Sequence, residues 1–464
     1  MQVKLIQNKH KSSLKVTFQV LNSCLGSLFF GYSLGVFSLS EKTLFNVLQV
    51  QQSQYDLYKA LVCALVPFGA IFGSFFSANL LGVVSRKNSL LLLDGLGIVA
   101  TCLTQVKNVH VLLVSRTLTG VATGLNSSIV PQYISEISPN ELRGKMGTIF
   151  NTTIAMGIIL SSILGQFFNE KGEDSPQNYW RLVYLFPLIF FVLRSMVLIL
   201  FFNYETPLYY FIYDKQEQGQ QVIQNMYKEE YQESIIQEIQ KQAFEKSKQQ
   251  QSYGDMFSIK YRKKLLVGCL LQFFQQFSGI NAVVMYSGTI FQQMISSFVL
   301  QNLISLISNV TLLFASILSS FFVNSLGRKK ILIYGSFFCA IFQVALCILS
   351  SIDKCQLVQV ILIFLYYLAF NFSLGPIVWL YNSEILPEKG ISIATMVNWI
   401  GATIIVVALP FLSLVYLFGF YGIICILAGT FSHFVIRETK GLSQQQISTF
   451  YETQVKYQTA TSEE

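Results

Sequence analysis

Five polar residues lie within the apolar stretch LLQFFQQFSGINAVVMYS, Leu270–Ser287: they are Gln272, Gln275, Gln276, Ser278 and Asn281. An amide placed in hydrocarbon without a hydrogen-bond partner costs several kcal/mol, so these side chains need polar partners away from lipid. Glutamine and asparagine donate and accept hydrogen bonds without carrying charge. This chemistry suits reversible binding of a neutral ligand rich in hydroxyl groups, although the amides could instead only join neighbouring helices.

The spacing of these residues indicates how they are positioned. Helical periodicity puts the three glutamines and Gly279 on one face, which we expect to point into the protein. Asn281 lies off that face in an unbroken helix. Because glycine permits unusual backbone conformations, we expect Ser278–Gly279 to loosen the helix and turn Asn281 toward the same side.

The composition indicates a membrane protein. Of 464 residues, 52% are hydrophobic and 12% are charged, against about 25% charged residues in soluble proteins. The cysteines are scattered through apolar runs without a CxxC pair, which argues against a disulfide framework or a metal site. His10, His110 and His433 are far apart and no nucleophile or phosphate-binding motif accompanies them, so we expect neither an enzyme nor a cofactor.

Twelve stretches of the chain are apolar enough to cross a membrane as helices of about 20 residues. The first six are predicted near residues 16–39, 57–83, 88–106, 109–134, 145–168 and 181–202. The last six are predicted near residues 265–292, 297–323, 331–351, 356–383, 391–411 and 413–436. We therefore predict an all-α membrane protein with an N-terminal tail (1–15), a six-helix half (16–202), a linker with short helices (203–264), a second six-helix half (265–436) and a C-terminal tail (437–464).

Basic residues predict the orientation, because lysine and arginine mark the cytoplasmic face of membrane proteins. Lys4, Lys9 and Lys11 precede the first span, and Arg86-Lys87 follows the second. An even number of spans puts both termini on one side, so we expect both termini and the linker in the cytoplasm. The net charge of +8 then reflects topology, and we expect no nucleic-acid partner.

The two halves repeat short sequences in the same order. YISEISP (133–139) returns as YNSEILP (381–387), SRK (85–87) as GRK (327–329), and YETP (204–207) as RETK (437–440). Parallel six-helix repeats are a transporter architecture in which substrate binds between the repeats near the membrane midplane.

The chain resembles the sugar porter family of the major facilitator superfamily, from FFGYSLGVF near the N-terminus to RETKGLS near the C-terminus. The motifs that carry the resemblance are RTLTGVATG (116–124), PQYISEISPNELRG (131–144), QQFSGIN (275–281), GPIVW (375–379) and NW (398–399). The resemblance implies transport of a monosaccharide, a hexose such as glucose, by alternating access. It also implies a monomer in a lipid bilayer, with the plasma membrane the default and an internal membrane the alternative.

The resemblance also implies substrate-binding residues: Gln275, Gln276, Asn281, Asn151, Trp379, Asn371, Phe370 and Trp399. Three positions depart from the family pattern. Asn151 stands where glutamine is usual, Asn371 where glucose facilitators often have glutamate, and Leu312 where a sugar-binding asparagine is expected. These departures leave an inositol, a pentose or another polyol open as the substrate.

Gating charges are implied in the same way: Glu136, Arg143, Arg116, Glu205, Arg328, Glu384 and Glu438. In the family such groups link the two halves when the cavity opens outward. The alternative is that they only set topology. The loop LLGVVSRK lacks the family's Asp-Arg pair, so we expect a weaker gate in the N-terminal half.

Ser33 indicates the mode of coupling. Proton–sugar symporters of the family have aspartate in the GYD context of the first helix, whereas this chain reads GYS. Serine does not titrate near neutral pH, so we predict uniport. Asp94 is another intramembrane acid, which could be a substitute proton site or could pair locally. A proton-coupled sugar or polyol symporter and a non-transporting sugar sensor remain the alternatives.

Overall fold

The computed structural model describes residues 14–168, 172, 178–247, 252–285, 297–352, 356–409, 412–442 and 446–447, which contain helices, turns and no β-strand. Six membrane helices precede the linker: α1 (Leu14–Ser23 and Leu25–Val47), α2 (Tyr55–Val83), α3 (Arg86–Leu103), α4 (Val109–Ile137), α5 (Asn140–Gly165) and α6 (Tyr179–Leu185 and Leu188–Leu200). Six follow it: α7 (Arg262–Phe277 and Ile280–Met285), α8 (Phe298–Leu326), α9 (Arg328–Ile352), α10 (Gln356–Phe372 and Leu374–Ile385), α11 (Glu388–Ala408) and α12 (Leu414–Phe434). The linker holds the helices Pro207–Ile212, Gln216–Met226 and Glu229–Ser247 and the short 3-10 helix Gly254–Phe257.

Helix α1 extends beyond the predicted span 16–39. Its last turns remain helical because Glu41 pairs with Lys59 of α2 at 3.0 Å, which gives the polar end of the helix a partner beyond the apolar run. The first turn of α6 is also held by a polar contact: Arg181 donates to the carbonyl of Gln105 at 3.1 Å. Arg181 therefore lies at the end of α6 that is remote from the linker.

Ten of the twelve helices are long and apolar enough to span a membrane by length and composition alone, and α3 and α4 are the two outside that set. Helix α4 replaces apolar bulk with small residues that allow close packing on α2. A Cβ on Gly120 would lie 2.1 Å from the carbonyl oxygen of Val66, and one on Gly124 would lie 2.2 Å from that of Ala70. The glycines of RTLTGVATG thus let two backbones touch, as small residues do between membrane helices.

Helix α7 breaks at Ser278–Gly279, as the sequence predicts. Gly279 has φ +98°, and a Cβ there would lie 2.4 Å from the ring of Tyr421. The break frees the carbonyl of Ser278, which accepts from the Tyr366 hydroxyl at 3.0 Å and from Gln343 Nε2 at 3.2 Å. The freed backbone is thereby satisfied inside the protein, as a membrane requires.

Candidate functional site

The amides of α7 converge on Asn398 of α11. Gln276 Nε2 donates to Asn398 Oδ1 at 2.6 Å, and Asn281 Nδ2 donates to Gln276 Oε1 at 2.7 Å. Asn398 Nδ2 donates to Gln272 Oε1 at 2.6 Å and to Gln275 Oε1 at 2.7 Å. The break at Gly279 allows this, because it turns Asn281 back toward the glutamine face.

The cluster continues into α10 and across to the other half. Gln275 Nε2 donates to the carbonyls of Leu374 and Gly375 at 3.0 and 2.9 Å, where α10 is interrupted. One turn earlier, Asn371 Oδ1 accepts from Asn151 Nδ2 of α5 at 3.1 Å. Asn151 Nδ2 also lies 3.3 Å from Ser316 Oγ of α8.

Two hydrogen-bonded groups thus meet where α10 is interrupted, and we call them together the amide belt. The belt comprises Gln272, Gln275, Gln276, Asn281 and Asn398 in one group and Asn371, Asn151 and Ser316 in the other. Its members are all buried. In this conformation they satisfy one another, and each carries both donor and acceptor capacity. A hydroxyl-bearing ligand can therefore exchange with these bonds without leaving an uncompensated charge.

Three aromatic residues from the sequence prediction border the belt. Phe370 precedes the α10 break, and Trp379 lies one turn beyond it with its ring 5.9 Å from that of Phe150 on α5. Trp399 follows Asn398 directly. Its Nε1 donates to Ser127 Oγ of α4 at 3.1 Å, and its ring lies 5.1 Å from that of Phe30 on α1. Both tryptophans thus touch the opposite half.

On the linker side, the N-terminal half holds a charge network built from the three repeated motifs SRK, YISEISP and YETP. Arg86 Nη2 pairs with Glu136 Oε1 at 3.3 Å, and Thr206 Oγ1 donates to Glu136 Oε2 at 2.8 Å. Glu205 accepts from the main-chain N–H of Lys87 at 2.8 Å, at the first turn of α3. A carboxylate at a helix N-terminus is favourable because it meets unpaired N–H groups and the positive end of the helix dipole.

The C-terminal half repeats this network with the corresponding residues. Arg328 Nη2 pairs with Glu384 Oε1 at 2.6 Å, and Thr439 Oγ1 donates to Glu384 Oε2 at 2.6 Å. Glu438 accepts from the main-chain N–H of Arg328 at 2.9 Å. The sequence repeats therefore encode the same local structure twice.

Arg86 also links the N-terminal network to the C-terminal half. Its Nη2 pairs with Glu388 Oε1 of α11 at 2.8 Å. Nearby, Ser77 Oγ of α2 and Ser392 Oγ of α11 lie 2.7 Å apart. On α5, Gly144 follows Arg143, and a Cβ there would meet Asn324 Oδ1 at 2.5 Å, in the other half. The two halves are thus joined on the linker side.

Arg116 lies apart from the other predicted gating charges. Its Nη1 donates to the main-chain oxygen of Ser33 and its Nε to that of Val62, both at 3.2 Å. Its Nη2 is buried without a hydrogen-bond partner among the described residues. The Ser33 hydroxyl donates instead to the carbonyl of Phe30 at 2.8 Å, so it offers no acid to this guanidinium.

Asp94 of α3 pairs locally, which was one of the two interpretations of this residue. Arg194 of α6 donates from Nε to Asp94 Oδ1 at 2.8 Å, and Ser195 Oγ donates to Oδ2 at 2.7 Å. Arg194 Nη1 reaches Asn126 Oδ1 of α4 at 2.8 Å and the carbonyl of Ser23 in α1 at 3.3 Å. This buried ion pair ties four helices of the N-terminal half together.

Residues 20–451 match the family model described as Sugar (and other) transporter. The chain belongs to the sugar transporter family. Membership confirms the resemblance found in the motifs and the prediction of an integral membrane transporter instead of an enzyme.

Relatives of this transporter cover nearly all of it. Hexose transporter 1 of Plasmodium knowlesi is 30% identical over 453 residues, which cover 91% of this chain and 90% of the relative. Facilitated glucose transporter member 3 of solute carrier family 2, from Mus musculus, is 28% identical, and the match covers 96% of this chain and 94% of the relative. A structure of the proton:xylose symporter XylE superposes with a TM-score of 0.82 at 23% identity, covering 94% of this chain and 99% of that chain. The structural likeness confirms the twelve-helix major facilitator fold.

Two belt residues of this sugar transporter, Asn398 and Ser316, were not predicted to bind substrate, although Asn398 belongs to the NW motif. Asn398 was available as an amide inside the apolar helix α11, beside Trp399, and a search for every amide at membrane depth would have found it. Ser316 stands one helical turn after Leu312, which is buried at 2% exposure. Because residues four apart share a helix face, Ser316 supplies a polar group toward α5 where Leu312 cannot.

Proposed function

We propose that this protein carries a hexose such as glucose across the membrane by alternating access, as a monomeric uniporter. The observation that carries the proposal is the amide belt. It joins α5 of the N-terminal half to α7, α8, α10 and α11 of the C-terminal half. Sugars are rings of hydroxyl groups, each a donor and an acceptor, so they match neutral amides. The bordering Trp379 and Trp399 offer flat apolar surfaces for the faces of a sugar ring.

Alternating access requires the belt contacts and the linker-side contacts to open in turn. Asn151 must part from Asn371 when sugar enters between the halves, and the sugar hydroxyls replace the lost bonds. Arg86 must release Glu388 when the linker side opens, while keeping Glu136 within its own half. The Glu388 side chain is 29% exposed, so water compensates for the broken pair and its cost stays near 1 kcal/mol or below. Nearly balanced states are what a carrier needs.

The environment of Ser33 supports uniport. A proton carrier at this position needs a group that titrates, and Ser33 presents a hydroxyl that is bonded to the Phe30 carbonyl. The Asp94 carboxylate accepts hydrogen bonds from Arg194 and Ser195, both on α6, so these contacts lie within the N-terminal half and not in the belt. Sugar movement in our proposal is therefore downhill and independent of protons.

We further propose that the linker and both termini face the cytoplasm and that the protein resides in the plasma membrane without a nucleic-acid partner. Arg86, Arg143 and Arg328 all lie at the linker side, which the positive-inside rule assigns to the cytoplasm.

The test is uptake of labelled D-glucose into proteoliposomes, with and without an inward proton gradient, for the natural protein and for Gln275→Ala. The matched control is Gln218→Ala, which removes an exposed amide of the linker. We expect saturable uptake whose rate does not depend on the proton gradient. This uptake should be lost in Gln275→Ala and should persist in Gln218→Ala. L-glucose, D-xylose and myo-inositol complete the panel, because Leu312 removes one polar contact and makes a polyol the second candidate.

Uptake that concentrates glucose only under a proton gradient would overturn uniport. Uptake of myo-inositol but not of glucose would show that the substrate is a polyol, and the proposed binding site would stand. Binding of a sugar without any uptake of the panel would replace transport by a sensor function.

A further inference from the structure

A groove outside the amide belt lies between the start of α1 and the end of α6, on the linker side. It has a volume of about 620 Å³, and its lining includes Lys15, Phe18, Leu21, Phe201, Phe202 and Asn225. Asn225 belongs to a linker helix, so the groove is formed by both the membrane domain and the linker.

We propose that this groove binds a phospholipid with an anionic headgroup from the leaflet on the linker side. The proposed topology makes this the cytoplasmic leaflet, but the site itself depends only on the position of the linker.

The groove is polar at one end and apolar at the other, as a phospholipid is. Lys15 and Asn225 form one end, where Lys15 Nζ donates to the main-chain oxygen of Asn225 at 3.0 Å. Phe18 and Leu21 form the other end, one to two turns deeper along α1. At a rise of about 1.5 Å per residue, Leu21 lies roughly 9 Å deeper than Lys15. A charged headgroup fits the first end and an acyl chain fits the second.

The walls are apolar surface that water does not favour. Phe18 is 50% exposed, Leu21 is 45% exposed and Phe201 is 67% exposed. The Phe18 ring also contacts that of Phe202 at 5.8 Å between centroids, which gives the groove an aromatic floor. Such a surface at a membrane boundary is stable when hydrocarbon covers it.

Charge complementarity selects an anionic headgroup. Lys15 presents a positive charge at the mouth, and its bond to Asn225 holds the ammonium there with donors to spare. Anionic lipids are drawn to basic residues close to the cytoplasmic surface.

The first experiment maps the lipid. The full-length chain is reconstituted in phosphatidylcholine with a small fraction of photoactivatable phosphatidylglycerol, irradiated and digested. We expect adducts on the peptides that contain residues 14–21 and 201–204. Absence of adducts on both peptides would mean that something else, such as the chain's own residues 1–13, covers the groove, and would overturn the proposal.

Variants then test the charge and the shape. Lys15→Gln should weaken labelling at these peptides about fivefold, the effect of one surface lysine. Leu21→Trp fills the deep end without changing charge and should reduce labelling comparably. The control Lys107→Gln removes an exposed lysine at the opposite end of α3 and should change nothing.

Competition separates the lipid from a free anion. Replacing part of the phosphatidylcholine with unlabelled phosphatidylglycerol should suppress labelling, while replacing it with uncharged phosphatidylethanolamine, or adding inorganic phosphate, should not. Suppression by inorganic phosphate alone would reduce the site to an anion site, and equal suppression by phosphatidylethanolamine would show that headgroup charge has no role; either result overturns the proposal. The readout is labelling and not uptake, so its failure is distinct from failure of hexose transport.

Discussion

At the scale of single residues, Asn398 holds the amide belt together because three glutamines depend on it. Its carboxamide accepts from Gln276 and donates to Gln272 and Gln275. No other member of the belt bonds to so many of the α7 side chains. In the proposed mechanism a sugar replaces some of these bonds when it enters, so Asn398 is the residue at which we expect binding to be most sensitive to substitution.

We expect Asn398→Ala to raise the KM for sugar by at least about tenfold. Each buried group left without a partner costs about 1–3 kcal/mol, and a tenfold change corresponds to about 1.4 kcal/mol. Asn398→Gln should retain more affinity because it keeps the amide. Thr403→Ala is the control on the same helix, since the Thr403 hydroxyl bonds only back to the Trp399 carbonyl. Concentration-dependent proteoliposome uptake measures all three, and an unchanged KM in Asn398→Ala would remove Asn398 from the site.

Ser33 supports a second prediction at this scale. In Ser33→Asp, the new carboxylate lies beside Arg116, whose Nη1 already reaches the Ser33 main chain at 3.2 Å. An opposite charge beside a carboxylate favours its ionised form. We expect an ion pair that restrains α1 against α4 at neutral pH and that is released when acidification protonates the introduced carboxylate. Uptake should therefore rise on acidification in Ser33→Asp and stay flat in the isosteric Ser33→Asn and in the natural protein; a flat profile in all three would contradict the inferred proximity.

At the scale of elements, the sequence predicted features that are local and missed those that depend on distant partners. The break in α7 could be predicted because Ser278–Gly279 carries its own conformational signal next to amides that must avoid lipid. The role of Arg194 could not be predicted, because this residue stands alone in the apolar run LIFFVLRSMVLIL and its partner Asp94 is on another helix. The two charge networks were predicted only in part. The repeated motifs showed that the same residues recur in both halves, but the fold was needed to place Glu205 and Glu438 at the starts of α3 and α9.

The Asp94–Arg194 pair carries the prediction at this scale. Both side chains are buried, at 1% and 0% exposure. Asp94→Asn leaves a buried guanidinium without its counter-charge, so we expect a loss of about 3–5 kcal/mol in the free energy of unfolding. The comparison is Glu41→Gln, which breaks the partly exposed pair with Lys59 and should cost about 1 kcal/mol or less. Thermal unfolding in detergent measures both, and equal shifts would show that the buried pair does not hold the four helices.

At the scale of the whole molecule, the two halves meet through contacts of different strength at different depths. The belt and the tryptophans join them at the level of the α7 and α10 breaks, while Arg86–Glu388 and Ser77–Ser392 join them on the linker side. Within each half, the arginine of the repeated motif also holds a glutamate of its own half. Opening the linker side therefore breaks only the contacts between halves and leaves each six-helix unit intact, which is what a rocking motion requires.

Glu388→Gln tests this separation, because it removes the cross-half carboxylate and leaves the Arg86–Glu136 pair in place. We expect the linker-side contact to weaken by up to about 1 kcal/mol, which corresponds to roughly a fivefold larger open population.

A reporter is Ser77→Cys, since Ser77 is fully buried against Ser392 and becomes accessible only when α2 and α11 separate. A membrane-impermeant maleimide applied from the linker side should react up to fivefold faster with the reporter in Glu388→Gln, measured against the same chain without the added cysteine. Glu217→Gln, on an exposed linker helix, should leave the rate unchanged. Equal rates in all backgrounds would mean that Arg86–Glu388 contributes nothing to closure, and the linker side would then be held by packing of α2 against α11 alone.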